Sequence, residues 1–213
     1  MAERRAYKRP MPPADLLTLE SAPAFIPAPE VWEWARASFI AQDGPLANPD
    51  HEHLASANIG FLWTNISNRR QMKGVVGMAE APQPPRSAWG AEGVYLLTLV
   101  EWFGSVPDFR ITLDAGYAAH CDDLSFCALV EHELYHCGQK LDKYGLPQFS
   151  KEGMPKYGTR RHDAEEFVGI VRRYGMAGAA GGVKELVAAA ARPAEIGVAK
   201  VAAACGNCLR LVA

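Results

Sequence analysis

Hydrophobic positions along this chain fall in short blocks separated by polar and proline-rich joints, and the period inside each block predicts its structure. From about Pro29 to Gln42, Val31, Trp34, Ala35, Phe39 and Ile40 form one apolar side of a helix, with proline tolerated in its first turn and "DGP" at 43–45 as its stop. The stretches "IGFLWTN" (59–65) and "GVVGMAE" (74–80) are apolar and joined by the polar "ISNRRQMK", which predicts two adjacent antiparallel strands. After a proline-rich loop comes "GVYLLTLVEWF" (93–103), whose unbroken apolar run erases the period and leaves strand and helix both open. "DFRITLDA" (108–115) alternates like a strand with one solvated face.

A polar connection then leads into "ALVEHELYHCGQ" (128–139), read as a helix that starts near Asp122 or Asp123, either able to cap the first amides, and ends around Gly138 to Lys143. Further on, "RRHDAEEFVGIVRRYG" reads as another helix: Asp163 and Glu166 fit a capping box, Phe167, Ile170 and Val171 an apolar stripe, and Gly175 the stop. The alanine-rich remainder predicts a helix from about Val183 to Ala191 and a second after Pro193. Strands first and helices after them indicate an α+β fold: a small mixed or antiparallel sheet of about three strands packed on the 122–138 helix, an N-terminal helix and an Ala-rich C-terminal helical segment. The proline-rich residues 1–28 read as an extended N-terminal arm, 29–175 as the core, and 176–213 as a C-terminal helical appendage.

Composition narrows the function. At 213 residues and about half apolar (49%), the chain has material for one sizeable core. A net charge of -2 gives no sign of a nucleic-acid partner outside the basic run "MAERRAYKR" at the amino terminus. No apolar run is long enough to cross a bilayer and none resembles a secretion signal, so the expected address is the cytoplasm and no membrane partner is expected. Five cysteines at scattered spacing fit free thiols in a reducing compartment. "CGNC" (Cys205 to Cys208) has metal or redox spacing, but a structural zinc needs two such pairs; His120 and Cys121 are the remote candidates to complete one. "DHEH", with His51 and His53, reads as an exposed loop, and Cys127 and Cys137 as small apolar packing residues on the helix.

The chemistry concentrates in "HELYH". Residues four apart on a helix differ by about 40° in azimuth, so His132 and His136 share a face and can offer two imidazole nitrogens to one ion. Glu133 lies on the adjoining strip, placed to handle a proton of a metal-activated water without ligating the metal. The flanking residues are mostly uncharged, with Glu131 the interruption, so the helix is expected to be buried on its other sides, where a metal would compensate buried polar groups. A catalytic zinc site needs a third protein ligand and an open position. The "HExxHxxGxxH" arrangement is excluded, because Gln139 and Asp142 stand where it needs Gly and His. His162 is the first candidate, followed by Glu166, Glu165 and Asp163; of these Glu166 has a local role in the capping box and Glu165 one as a first-turn charge, whereas His162 has none.

With "EHELYH", a strand before it, and "HDAEEF" after it, the chain resembles the SprT-like zincins, and within them the phage metallopeptidase family of bacteriophages and prophages. The resemblance spans roughly residues 57–175 and rests on those two motifs. It implies a zincin-like fold, Zn2+ held by His132, His136 and His162, Glu133 as catalytic acid/base, a peptide or protein substrate, and action in the cytoplasm of a bacterial host. The chain departs from the family's shorter "HGxE" pattern at "HDAEE", which keeps Glu166 as a rival ligand. A strand before the site helix is expected to act as the edge that pairs with extended substrate, "DFRITLDA" or a neighbour, and Tyr157, Arg160, Arg161 and Tyr174 are the candidate donors to the oxyanion. The competing function is a noncatalytic zinc-stabilised phage structural or adaptor protein, for which Glu133 would have no use.

Overall fold

A computed structural model describes residues 9–18, 20–70, 73–162 and 182–197. The fold is α+β, built on a four-stranded mixed sheet: β1 (Phe25–Pro27), β2 (Ile59–Thr64), β6 (Phe109–Asp114) and β5 (Gly77–Glu80), in the order β1-β2-β6-β5. Two further strands, β3 (Asn68–Arg70) and β4 (Lys73–Val75), form a separate small hairpin between β2 and β5.

The strand pairing corrects the expectation drawn from the sequence. The 59–65 and 74–80 blocks both contain strands of this sheet, but they are not neighbours: β6 lies between them, parallel to β2 and antiparallel to β5. The open block at 93–103 is a helix, α2 (Ala91–Phe103), which joins β5 to β6 in the chain and packs on the sheet through Tyr95 and Phe103. Helix α2 ends at Gly104, whose φ of 76° would strain any residue with a Cβ and whose N–H donates to the carbonyl of Val100.

Side-chain alternation sorts the sheet into two faces. In register, Phe61, Ile111 and Ala79 form one row and Trp63, Leu113 and Gly77 the next, and this face carries the main core. It is covered by α1 (Pro29–Ala35), which continues as a π turn over Arg36–Ile40, and by the site helix α4 (Asp123–Tyr135). The rings of Trp63 and Phe126 lie 6.1 Å apart where α4 crosses the sheet. The other face of β6, expected to be solvated, is largely covered: the guanidinium of Arg110 stacks over Tyr95 of α2 and pairs with Glu80. Gly60 marks the closest approach there, since a Cβ at that position would fall 2.7 Å from the ring of Phe103.

The proline-rich segment joins this body. Its Phe25–Pro27 is the edge strand β1, Leu16 is buried, and Arg9 is clamped against the start of α4. Between β6 and α4 lies the short α3 (Ala115–His120), capped by Asp114. Helix α4 begins where its capping residues predicted, Asp122 accepting from the backbone N–H of Ser125 at 2.8 Å. It stops earlier than expected, with Tyr135 as its last residue and His136 as its C-cap, because Cys137–Gln139 (β7) turns into a strand and pairs with Tyr157–Thr159 (β8). Cys137 therefore sits on β7, buried as expected. The Ala-rich region supplies α5 (Val183–Ala190). The helix predicted after His162, Glu165 and Glu166 with it, and Cys205 and Cys208 lie outside the described residues. Among the described residues, no helix is long and apolar enough to cross a membrane.

Candidate metal centre

Local helix geometry places the first two histidines. His132 and His136 stand one turn apart near the C-terminal end of α4, their ring centroids 5.0 Å apart. The third arrives by strand register. Cys137 pairs with Thr159 in the β7–β8 hairpin, so Arg160 falls beside His136, and His162, two residues on, reaches back along the helix toward His132. The His162 ring centroid lies 5.2 Å from that of His132 and 4.9 Å from that of His136.

The three rings could hold a metal ion. One nitrogen from each ring lies within 4.8 Å of the others, and the Nε2 atoms of His162 and His132 are 3.4 Å apart. Two ligands of a tetrahedron with metal–nitrogen bonds of 2.0–2.1 Å stand about 3.3 Å apart, which that pair already matches. His136 is held from behind: its Nδ1 donates to the carbonyl oxygen of Arg160 at 2.8 Å, which leaves Nε2 as the lone-pair nitrogen. The sequence brought forward His132, His136 and His162, and the structure brings all three together.

Glu133 is fully buried, one residue on from His132 and therefore turned toward the sheet, where its carboxylate lies against the first residue of β5. The histidines line a small cavity of about 180 Å³ together with Tyr135, Arg160 and Arg161. Tyr135 and Arg160 also line a larger cleft of about 1240 Å³, walled on one side by Ala79 to Gln83 and on the other by the β7–β8 hairpin. The candidate substrate edge was "DFRITLDA" or a neighbour, and the two differ in position. "DFRITLDA" is an interior strand with neighbours on both sides, whereas β5, the strand beside it, is an edge of the described sheet and borders the cleft. Of the candidate oxyanion donors, Tyr157 packs on Phe109 and bonds Ser56 and the carbonyl of His53, away from the histidines, while Arg160 and Arg161 line their cavity. Tyr174 lies outside the described residues.

The expectation of an exposed loop at "DHEH" is overturned. Pro49–Leu54 is a short 3-10 helix, and His51 is completely buried. Its ring stacks edge-on against Tyr135, and its Nε2 lies 3.7 Å from Glu131. Asn48 ties the same group together, its amide donating to Glu131 at 2.8 Å and to the hydroxyl of Tyr135 at 2.9 Å, while that hydroxyl donates to Asp50 at 2.9 Å. Burial pushes the carboxyl of Glu131 up, but the His51 imidazole and the Asn48 amide outweigh it and hold the group below its ordinary value. His53 bonds the strand that follows the site helix, its Nε2 hydrogen-bonded to the carbonyl of Cys137 at 2.7 Å. These residues form a polar frame behind the end of the site helix. Two signals for it were present in the chain: "NP" opening a capped turn at Asn48 and Pro49, and the charge of Glu131 interrupting an apolar helix.

The cysteines carry no such arrangement among the described residues. Burial, with Asp123 nearby, pushes the Cys127 thiol up to about 11, and burial holds the Cys137 thiol well above its ordinary value, as expected of packing residues. His120 and Cys121 bond to backbone carbonyls of their own helix.

Comparison with known proteins agrees with this centre. No curated protein and no solved structure matches the chain. A family model described as "Putative phage metallopeptidase" matches residues 32–191, a span that includes β2, β5 and β6, the site helix and all three histidines. The chain belongs to the phage metallopeptidase family.

Proposed function

We propose that this protein is a zinc-dependent peptidase in which His132, His136 and His162 hold the metal and Glu133 is the general acid/base. The observation that carries the reading is the convergence of three imidazoles, one supplied through a hairpin, beside a buried glutamate on the same helix. Neutral imidazoles suit zinc and keep its charge available, and bound zinc would supply an acidified water and a polarised carbonyl.

The remaining work falls to the chain. Glu133 accepts the proton of the attacking water as its oxygen bonds to the scissile carbonyl carbon, and hands that proton to the amide nitrogen as the carbon–nitrogen bond breaks. Arg160 fixes the ring of His136 through its carbonyl, and its guanidinium, 5.8 Å from the Tyr135 ring centroid, borders the place where negative charge develops. β5, an edge of the described sheet, borders the cleft and is the strand beside which an extended peptide would lie. A polypeptide is therefore the substrate class. A purely structural zinc site would have no use for a carboxylate sealed beside its ligands, which sets this reading above a noncatalytic zinc-stabilised adaptor.

The test is zinc analysis combined with cleavage of a fluorescently labelled casein. Glu133→Gln is expected to keep its zinc and lose cleavage. A Glu133→Gln protein that retains metal and cleaves at the parental rate would refute the general-base assignment.

A further inference from the structure

Gly77 opens β5 opposite Leu113 of β6, on the face of the sheet that α4 covers. Its backbone does not require glycine, because positive φ occurs at Gly104, Gly145, Gly153 and Gly182 and not here. Space does. A Cβ at position 77 would lie 2.6 Å from Oε1 of Glu133, 3.1 Å from its carboxyl carbon and 2.8 Å from a methyl of Leu129. Those separations are well inside the roughly 3.5–4.0 Å at which carbon atoms rest against one another. Two residues along on the same face, Ala79 carries a Cβ and is fully buried, so the strand accepts a methyl there and lacks one only where Glu133 lies. Gly60 also yields its space to a neighbour, but that neighbour is the Phe103 ring on the opposite face.

We infer that Gly77 is a positioning residue for Glu133, its missing side chain forming the socket that holds the carboxylate in working orientation. The inference rests on Glu133 being the general acid/base. Both groups that a new methyl would strike are the ends of rotatable side chains, so the strain is relieved by moving the carboxylate and the leucine methyl instead of the backbone. A displacement of about 1 Å at a catalytic group is enough to cost on the order of a hundredfold in rate. Gly77→Ala should therefore damage catalysis while leaving the fold and the histidines in place.

The experiment compares Gly77→Ala, Glu133→Asp, the double variant, Glu133→Gln, and Gly74→Ala as a control, since a Cβ at Gly74 meets nothing within 4 Å. Metal content, melting temperature, and kcat and KM on labelled casein are measured for each. Cobalt-loaded proteins are also titrated with acetohydroxamic acid, which chelates the metal and offers a proton to the neighbouring carboxylate, and binding is followed in the visible spectrum. Gly77→Ala should keep its metal and its KM, lose on the order of a hundredfold in kcat, and bind the hydroxamate several-fold more weakly, while Gly74→Ala matches the parent. Shortening the carboxylate makes room for the methyl, so the two losses should not multiply, and the double variant should cleave no more slowly than Glu133→Asp alone. Parental kcat or parental hydroxamate binding in Gly77→Ala, or losses that multiply, would overturn the inference. If Glu133→Gln is inactive while Gly77→Ala is unaffected, only the socket falls. If the parent loads no metal, or Glu133→Gln cleaves normally, the peptidase reading falls and takes the socket with it.

Discussion

His136 donates its Nδ1 hydrogen to the carbonyl oxygen of Arg160 at 2.8 Å, and Arg160 returns its backbone N–H to the carbonyl oxygen of His136 at the same distance. The exchange joins the end of the site helix to the strand that leads to His162, so one hairpin both orients a ring and delivers another. Arg160→Pro removes the returning N–H and should weaken metal affinity by about 10–100-fold, the usual effect of losing the support of a ligand, whereas Arg160→Ala keeps both backbone bonds and should bind metal nearly as the parent does. Competition against a chromophoric chelator separates the two.

Loss of His162 should leave two imidazoles on one helix face, too few for a closed ligand set. His162→Ala purified from zinc-containing medium is expected to carry far less than one zinc per chain, and Glu166→Ala to carry the parental amount. Elemental analysis decides it, and the opposite pattern would transfer the third ligand to Glu166.

The frame behind the helix makes a stability prediction with a sign. The carboxyl of Glu131 is held below its ordinary value, so its contribution is fully present above the ordinary carboxylate range and is lost as pH falls through the lower folded value. Glu131→Gln should therefore melt below the parent at neutral pH, with the difference closing as pH drops below about 4.5. A temperature-melt series across that range reads the convergence directly.

Asn48→Ala leaves Glu131 and the hydroxyl of Tyr135 without their shared amide donor, at a cost of about 1–3 kcal/mol for partly buried groups. The loss should appear in chemical denaturation as a lower midpoint with an unchanged slope.

Arg9 anchors the amino-terminal segment to the site helix. Its guanidinium bonds the carbonyls of Ala118 and Cys121 at 2.5 and 2.6 Å, pairs with Asp123, and stacks 4.9 Å from the centroid of Phe126. Asp123 is largely exposed and its share is screened, so the two carbonyls and the ring carry most of the effect. Arg9→Ala should lower stability by about 1.5–3 kcal/mol in denaturant titrations, although the residue is far in sequence from the centre.

The sequence by itself determined whatever depends on neighbours along the chain. His132 and His136 share a face because four residues make little more than one helical turn, Asp122 caps because its side chain reaches its own helix, and "FRITLD" is a strand by its alternation. His162 was legible as a candidate since no local role claimed it. Tertiary structure alone decided the rest. The order of the strands followed from β6 pairing with both β2 and β5, a choice that two equally apolar blocks at 59–65 and 74–80 cannot record. The state of 93–103 was settled by packing, with Tyr95 under the guanidinium of Arg110 and the Phe103 ring filling the space beside Gly60, and the early end of α4 by pairing between Cys137–Gln139 and a strand some twenty residues on. His51, polar by composition, is buried because Glu131 and Tyr135 of a distant helix meet it there. Periodicity reports what a residue does to its own helix or strand; partners brought from elsewhere are chosen by packing, and packing exists only once the chain has closed on itself.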